Sequence, residues 1–106
     1  NVDLVQSDAT HIQKRGACYD LVISANCLEH VERPWLFVPE IVRMLRPRGV
    51  LILSVPWHMR IHRYPLDCWR ILPDGMQVLL SDAGLENVKT WTHDVDCWGI
   101  GLKGES

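Results

Sequence analysis

The chain has no Gly-x-Gly-x-Gly run, no Cys-x-x-Cys pair, only one phenylalanine and a formal charge of only −2. Each shortage excludes something. Without the triple-glycine run there is no turn of the kind that lets a backbone close in on a nucleotide cofactor. Without paired cysteines, a structural zinc module of the zinc-finger or zinc-ribbon type is not expected. The four cysteines, Cys18, Cys27, Cys68 and Cys97, are scattered, so reduced thiols in a cytoplasmic protein are expected. No apolar run reaches the roughly 18 residues that suggest a membrane span, and no charged-then-apolar leader opens the chain, so no membrane partner is expected. With 11 basic against 13 acidic residues there is no positive stripe for a nucleic acid, and 47% apolar content is too high for a disordered tail.

What is present reads as alternating strands and helices. Val2 to Gln6 is β-prone, and Ser7-Asp8-Ala9-Thr10 follows with turn and capping chemistry. Tyr19 to Ser24 carries Leu21-Val22-Ile23, apolar on both faces, as in a central parallel strand covered by helices. Val38, Ile41, Val42 and Leu45 share one helical face, with Glu40, Arg43 and Arg46 opposite. Pro34 suits a first turn, but Pro39 lacks an N–H, so the regular helix is predicted to start near Phe37 or Val38 and to stop at Pro47. Val50 to Val55 is a second buried strand, which makes a right-handed crossover unit. The stretch from Pro56 to Leu72 fits no period and is rich in Trp, His, Arg, Tyr and Pro, the mark of a loop that is either functional or disordered. Pro73-Asp74-Gly75 then opens a helix with Met76, Leu79, Leu80 and Ala83 on one face and Gly84 as its C-cap. Leu85 to Thr92 and, more weakly, Cys97 to Leu102 read as strands.

Two of these segments carry a resemblance. Tyr19-Asp20-Leu21-Val22 leading to Leu28-Glu29-His30-Val31, followed by Leu45-Arg46-Pro47-Arg48-Gly49 and the strand to Pro56, resemble the "YD-V-leHv" and "L-kPGG-l-l-s-P" motifs of class I S-adenosylmethionine-dependent methyltransferases of the type 11-like kind. Arg48 stands where the first glycine of "PGG" is usual, while Gly49 still permits the turn. The loop's Pro56 to Arg70 stretch resembles a "P-H-x-y-P-x-D-x-W-R" pattern of one bacterial branch, in which the loop lies over the active-site mouth. The resemblance spans almost the whole chain. It implies one partial methyltransferase domain, residues 1–106, that lacks the N-terminal half of the fold. The implied class is α/β, a partial Rossmann-like fold with a mostly parallel sheet and flanking helices. With the preceding strands missing, Val2 to Gln6 is expected to lose its usual neighbours or to pair beside Tyr19 to Ser24. The helices are expected to be unevenly spread over the faces.

The same resemblance implies methyl transfer from S-adenosylmethionine to a small-molecule or glycan-type acceptor, and it assigns residues. Asp8 and Ala9 match a "g-D-A" motif whose carboxylate and backbone N–H read adenine; the bland alternative is that Asp8 caps a helical turn. Ala25 and Asn26 fall where small residues approach the methionine part of the cofactor, or they form an ordinary strand exit. His30 is the candidate catalytic base, or the anchor of its loop. His62, Tyr64 and Arg70 are the candidate acceptor-binding residues; alternatively Tyr64 and Trp69 fold the loop against the sheet while Asp67 pairs with Arg70. His58-x-x-x-His62 lacks the helix a zinc pair needs, so no metal is expected there. Two further readings are a non-catalytic interaction module of the same origin and a nicotinamide-dependent Rossmann enzyme, the latter lacking support from either motif.

Overall fold

The computed structural model describes residues 19–63 and 66–105. The expected strand at Val2 to Gln6 and the candidates Asp8, Ala9 and Tyr64 lie outside the described residues. Strand β1, Tyr19–Ala25, runs parallel to β2, Leu45–Pro56. Helix α1, Pro34–Met44, joins them as the expected crossover. It starts at Pro34 rather than near Val38, with Pro39 inside it. The hydrogen bond that Pro39 forgoes falls at the carbonyl of Trp35, a residue half exposed to solvent, so the loss is tolerated in the second turn.

Pro47 lies within β2, not at a helix end, because Met44 passes straight into extended backbone. Tyr19 pairs with Leu45 and Leu21 with Val50, so Arg46 to Gly49 bulge out of register. Arg48 sits at φ 68, in the left-handed region. Its N–H donates to the carbonyls of Lys103 at 3.1 Å and Gly104 at 3.2 Å. Gly49 is needed for a different reason: a Cβ there would lie 2.8 Å from the Arg46 carbonyl oxygen. A left-handed residue with a side chain costs roughly 1 kcal/mol. Arg48 also holds Glu105 in an exposed ion pair of small value. Arg48→Gly is therefore expected to stabilise the protein by about 0.5–1 kcal/mol in thermal or urea unfolding, despite the loss of that pair.

Helix α2, Pro73–Asp82, follows the loop. Gly84, at φ 92, donates to the Ser81 carbonyl, and Leu85 donates back to that of Leu80. This crossed pair, with Leu80 and Leu85 both buried, is the Schellman ending that Gly84 foreshadowed. Strands β3, Glu86–His93, and β4, Asp96–Leu102, form a hairpin across Asp94-Val95. So short a link joins only antiparallel neighbours.

The sheet order is β1-β2-β4-β3, with one parallel pair followed by two antiparallel ones. The expectation of a mostly parallel sheet is thus corrected: the hairpin inserts its second strand beside β2. Among the described residues β1 has one strand neighbour, β2.

Both helices share one face. Leu51, Leu53 and Val55 of β2 stand opposite Gly101, Gly99 and Cys97 of β4. A Cβ on Gly99 would fall 2.5 Å from Met76 Cγ and 2.8 Å from Leu80 Cδ1 of α2. Helix α1 packs on β2 and on α2, and Val38, Met44, Met76 and Leu80 join one buried core. The other face carries Ile23 and Trp91, each 43% exposed, with Ile52, Ile100 and Trp98 half-buried between them.

Candidate functional site

The site lies at the carboxyl ends of the parallel pair. Strand β1 ends at Ala25, and Asn26, in the left-handed region at φ 53, turns the chain outward. Asparagine tolerates that conformation better than most residues. Its N–H donates to the Ser54 carbonyl of β2 at 2.9 Å, which keeps the two strand ends together. Ala25 and Asn26 are both exposed there. A 3-10 turn, Leu28–His30, follows; it buries Leu28 and Glu29 and leaves His30 partly open.

Glu29 organises what comes next. Its carbonyl accepts from the Cys68 N–H at 2.7 Å and the Trp69 N–H at 3.3 Å, tying the loop 57–72 to the end of β1. Trp69 adds an indole N–H to the Glu32 carbonyl and an edge contact with Trp35. At its other end the loop is held to the hairpin turn, where Trp57 donates from its backbone to Val95 and from its indole to Asp94.

Within the loop, Asp67 and Arg70 form a two-pronged pair at 2.6 and 2.8 Å, with the Asp67 side chain 1% exposed. The remaining Arg70 donors go to the carbonyls of Met59, Arg60 and Trp69, which accounts for all five of its N–H groups. The structure therefore places Arg70 as the group that folds the loop, the alternative raised from the sequence, with no N–H left over for an acceptor in this arrangement. The Arg70 hydrogen bonds, and after them the His62 N–H at 2.6 Å, hold the Asp67 carboxyl well below the usual carboxylate range.

His62 and His30 come together over the buried Glu29. Their rings meet edge to face at 4.9 Å. The Glu29 side chain is 1% exposed, and its Oε2 lies 3.6 Å from His30 Nε2 and 3.5 Å from His62 Nε2. Glu29 Oε1 has no hydrogen-bond partner among the described residues. His58 lies outside this group and rests against Trp57. Beside the cluster, a pocket of about 240 Å³ is lined by Met59, Ile61, Asp67, Cys68, Trp69 and Arg70. Sequence reading singled out His30 and His62 separately; the part played by Glu29 was missed, because only folding sets its carboxylate between the two rings.

Cys27, Cys68 and Cys97 are free. Burial, then the nearby Glu29 charge, pushes the Cys27 thiol up, and burial pushes Cys97 up, whereas Cys68 is exposed. A raised pKa leaves less thiolate at neutral pH. Of these three thiols Cys68 should be alkylated first, and Cys27 and Cys97 should catch up only as pH rises, as peptide mapping of a time course would show. Equal rates at pH 7 would contradict this order.

Residues 1–53 match the family model described as a methyltransferase domain. The chain belongs to the methyltransferase domain family. The methyltransferase domain is also similar in structure to a Thermotoga maritima S-adenosylmethionine-dependent methyltransferase, described as a possible histamine N-methyltransferase. That match has a TM-score of 0.75 and 14% identity over 90% of this chain and 61% of the other. Haemonchus contortus phosphoethanolamine N-methyltransferase 2, seen with phosphomonomethylethanolamine and S-adenosylhomocysteine, aligns with a TM-score of 0.73 and 10% identity over 92% of this chain and 36% of the other. The [4+2]-cyclase SpnF aligns with a TM-score of 0.72 and 14% identity over 98% of this chain and 57% of the other. The chain thus spans less than two thirds of each of these proteins. At such identities the likeness establishes the fold, and the fold serves more than one chemistry. No curated relative matches the sequence. Among the described residues, no helix is long and apolar enough to cross a membrane.

Proposed function

We propose that this methyltransferase domain supplies the acceptor side of an S-adenosylmethionine-dependent methyltransferase acting on a small-molecule or glycan-type acceptor. One observation carries the reading: exposed small residues at the carboxyl end of β1 stand beside a histidine pair roofed by a fastened loop. Ligands of open α/β sheets bind at that edge. Ala25 and Asn26 fit the cofactor's methionine part, because neither fills the crevice and both are exposed. Asp8 and Ala9 are proposed for the adenine side. When bound, S-adenosylmethionine supplies a methyl group on a sulfonium, ready for in-line transfer.

The residues of this chain then orient the acceptor and manage its proton. The ring of His30 meets the Leu66 carbonyl through Nδ1. A carbonyl only accepts, so Nδ1 carries the hydrogen and Nε2 keeps its lone pair for a proton from an acceptor hydroxyl or amine. His62 shares the same space, and Tyr64 is proposed as a further acceptor-binding residue. Arg70 acts by positioning the loop.

Because the chain has no Gly-x-Gly-x-Gly run, calorimetric titration of the 106-residue chain with S-adenosylhomocysteine should show no saturable binding below about 100 μM. Saturable binding tighter than about 100 μM would overturn that expectation. A second reading is a non-catalytic module of the same origin. The two part when the chain is extended at its N-terminus by a glycine-rich cofactor segment: binding restored supports the enzyme reading, and continued silence supports the module.

A further inference from the structure

We propose that Glu29, His30 and His62 form a binding site for a first-row divalent metal ion of the zinc type. The sequence-based expectation of no metal weighed His58 and His62 with Cys68 and Cys97 in reserve; the present set is different and depends on the fold. One ligand atom from each of the three residues lies within 4.8 Å of the others. In a tetrahedral zinc site, metal-ligand bonds of about 2.0–2.1 Å separate neighbouring oxygen and nitrogen ligands by about 3.3 Å. Glu29 Oε2 stands 3.6 Å from His30 Nε2 and 3.5 Å from His62 Nε2, close to that spacing.

Those separations are too long for hydrogen bonds. Oε1 of this buried carboxylate has no hydrogen-bond partner among the described residues. A buried carboxylate oxygen left without a donor is costly unless a cation meets the group. A doubly charged ion between Oε2 and the two Nε2 atoms answers that need.

Both rings are also set for the role by their far sides. His30 Nδ1 meets the Leu66 carbonyl. His62 Nδ1 lies 3.5 Å from the Arg60 carbonyl oxygen and 3.6 Å from Asp67 Oδ2. Metal-binding histidines commonly use one nitrogen on an acceptor of this kind, which directs the other lone pair at the ion. Two imidazoles and one carboxylate leave a fourth position for water. An ion and a proton compete for the same Nε2 lone pair, so occupancy would silence His30 as a base. Metal binding is read without turnover, and it stands or falls apart from the methyl-transfer reading.

The test is a titration of the untagged, metal-stripped chain with Zn2+, using a chromophoric chelator as competitor, alongside thermal unfolding. One equivalent should bind with a dissociation constant of micromolar or below, and the melting temperature should rise with free zinc. X-ray absorption of the zinc-loaded chain should show nitrogen and oxygen neighbours, two of them imidazole, with no sulfur. The isosteric Glu29→Gln and, separately, His62→Ala should each weaken binding at least about 10-fold, while Cys68→Ser leaves it unchanged. Absence of stoichiometric binding by the wild-type chain would overturn the site. So would sulfur ligation, or affinity that survives Glu29→Gln and falls with Cys68→Ser. Should a variant not fold, the affinity and ligand identity of the wild-type chain decide.

Discussion

Asp67→Asn should release the loop over the site. The replacement keeps the shape of the side chain, but it removes the charge that Arg70 grips through two hydrogen bonds and sets an amide NH2 against a guanidinium that only donates. Since the same Arg70 donors draw in the carbonyls of Met59, Arg60 and Trp69, losing the pair loosens the whole segment. Exchange of the His62 amide, which donates to Asp67 Oδ2 at 2.6 Å, and tryptic cleavage after Arg60 should both accelerate on the order of tenfold or more. Unchanged rates would mean that the backbone bonds from Cys68 and Trp69 to Glu29 hold the loop alone. The pH dependence has a definite sign. Asp67 is depressed in the folded protein by the Arg70 and His62 donors, so its stabilising effect is complete above its unfolded value of about 3.9 and is lost as pH falls further toward the folded value. Below about pH 4 the wild-type chain should therefore lose part of its margin over Asp67→Asn.

Gly99→Val should destabilise the protein by about 3 kcal/mol, measured as a melting temperature lowered by more than about 10 °C. Its first carbon alone would fall 2.5 Å from Met76 Cγ and 2.8 Å from Leu80 Cδ1, and both of those side chains are fully buried with nowhere to retreat. Gly101 has the same function beside Leu85, whose Cβ would be 2.8 Å away. These glycines, with Gly104, match the letters of a G-x-G-x-x-G phosphate loop, yet Gly99 and Gly101 sit inside β4, where they let a helix approach the sheet. If Gly99→Val melted with the wild type, α2 would not press on the sheet as the structure shows.

Much of this molecule was legible along the chain because its causes are local. Gly84 ends α2 since a left-handed residue is needed one step past the last turn, and Pro73 starts it since a first-turn residue needs no N–H. The apolar run at Leu21-Val22-Ile23, the helix after it and the run from Val50 gave away the crossover, because each pattern has its own period. The "leHv" and loop motifs pointed to the carboxyl edge of the sheet. Helix α1 was read as starting too late because a proline rule of thumb ignores that the forgone bond is at the half-exposed Trp35.

What the chain order left open was decided by packing between distant segments. A short link at Asp94-Val95 says that two strands turn back on each other, but nothing local says which of them meets β2. That choice follows from glycines at positions 99 and 101 leaving room for Met76, Leu80 and Leu85, so β4 takes the inner place under α2 and the sheet becomes mixed. The cluster over Glu29 is a tertiary product in the same sense. Sequence supplied a glutamate and a histidine side by side and another histidine far along the chain. The fold alone brought His62 back over them, by fastening Cys68 and Trp69 to the Glu29 carbonyl and locking Asp67 to Arg70. Side-chain periods report which face is buried; they carry no information on which residues from separate loops share one point in space.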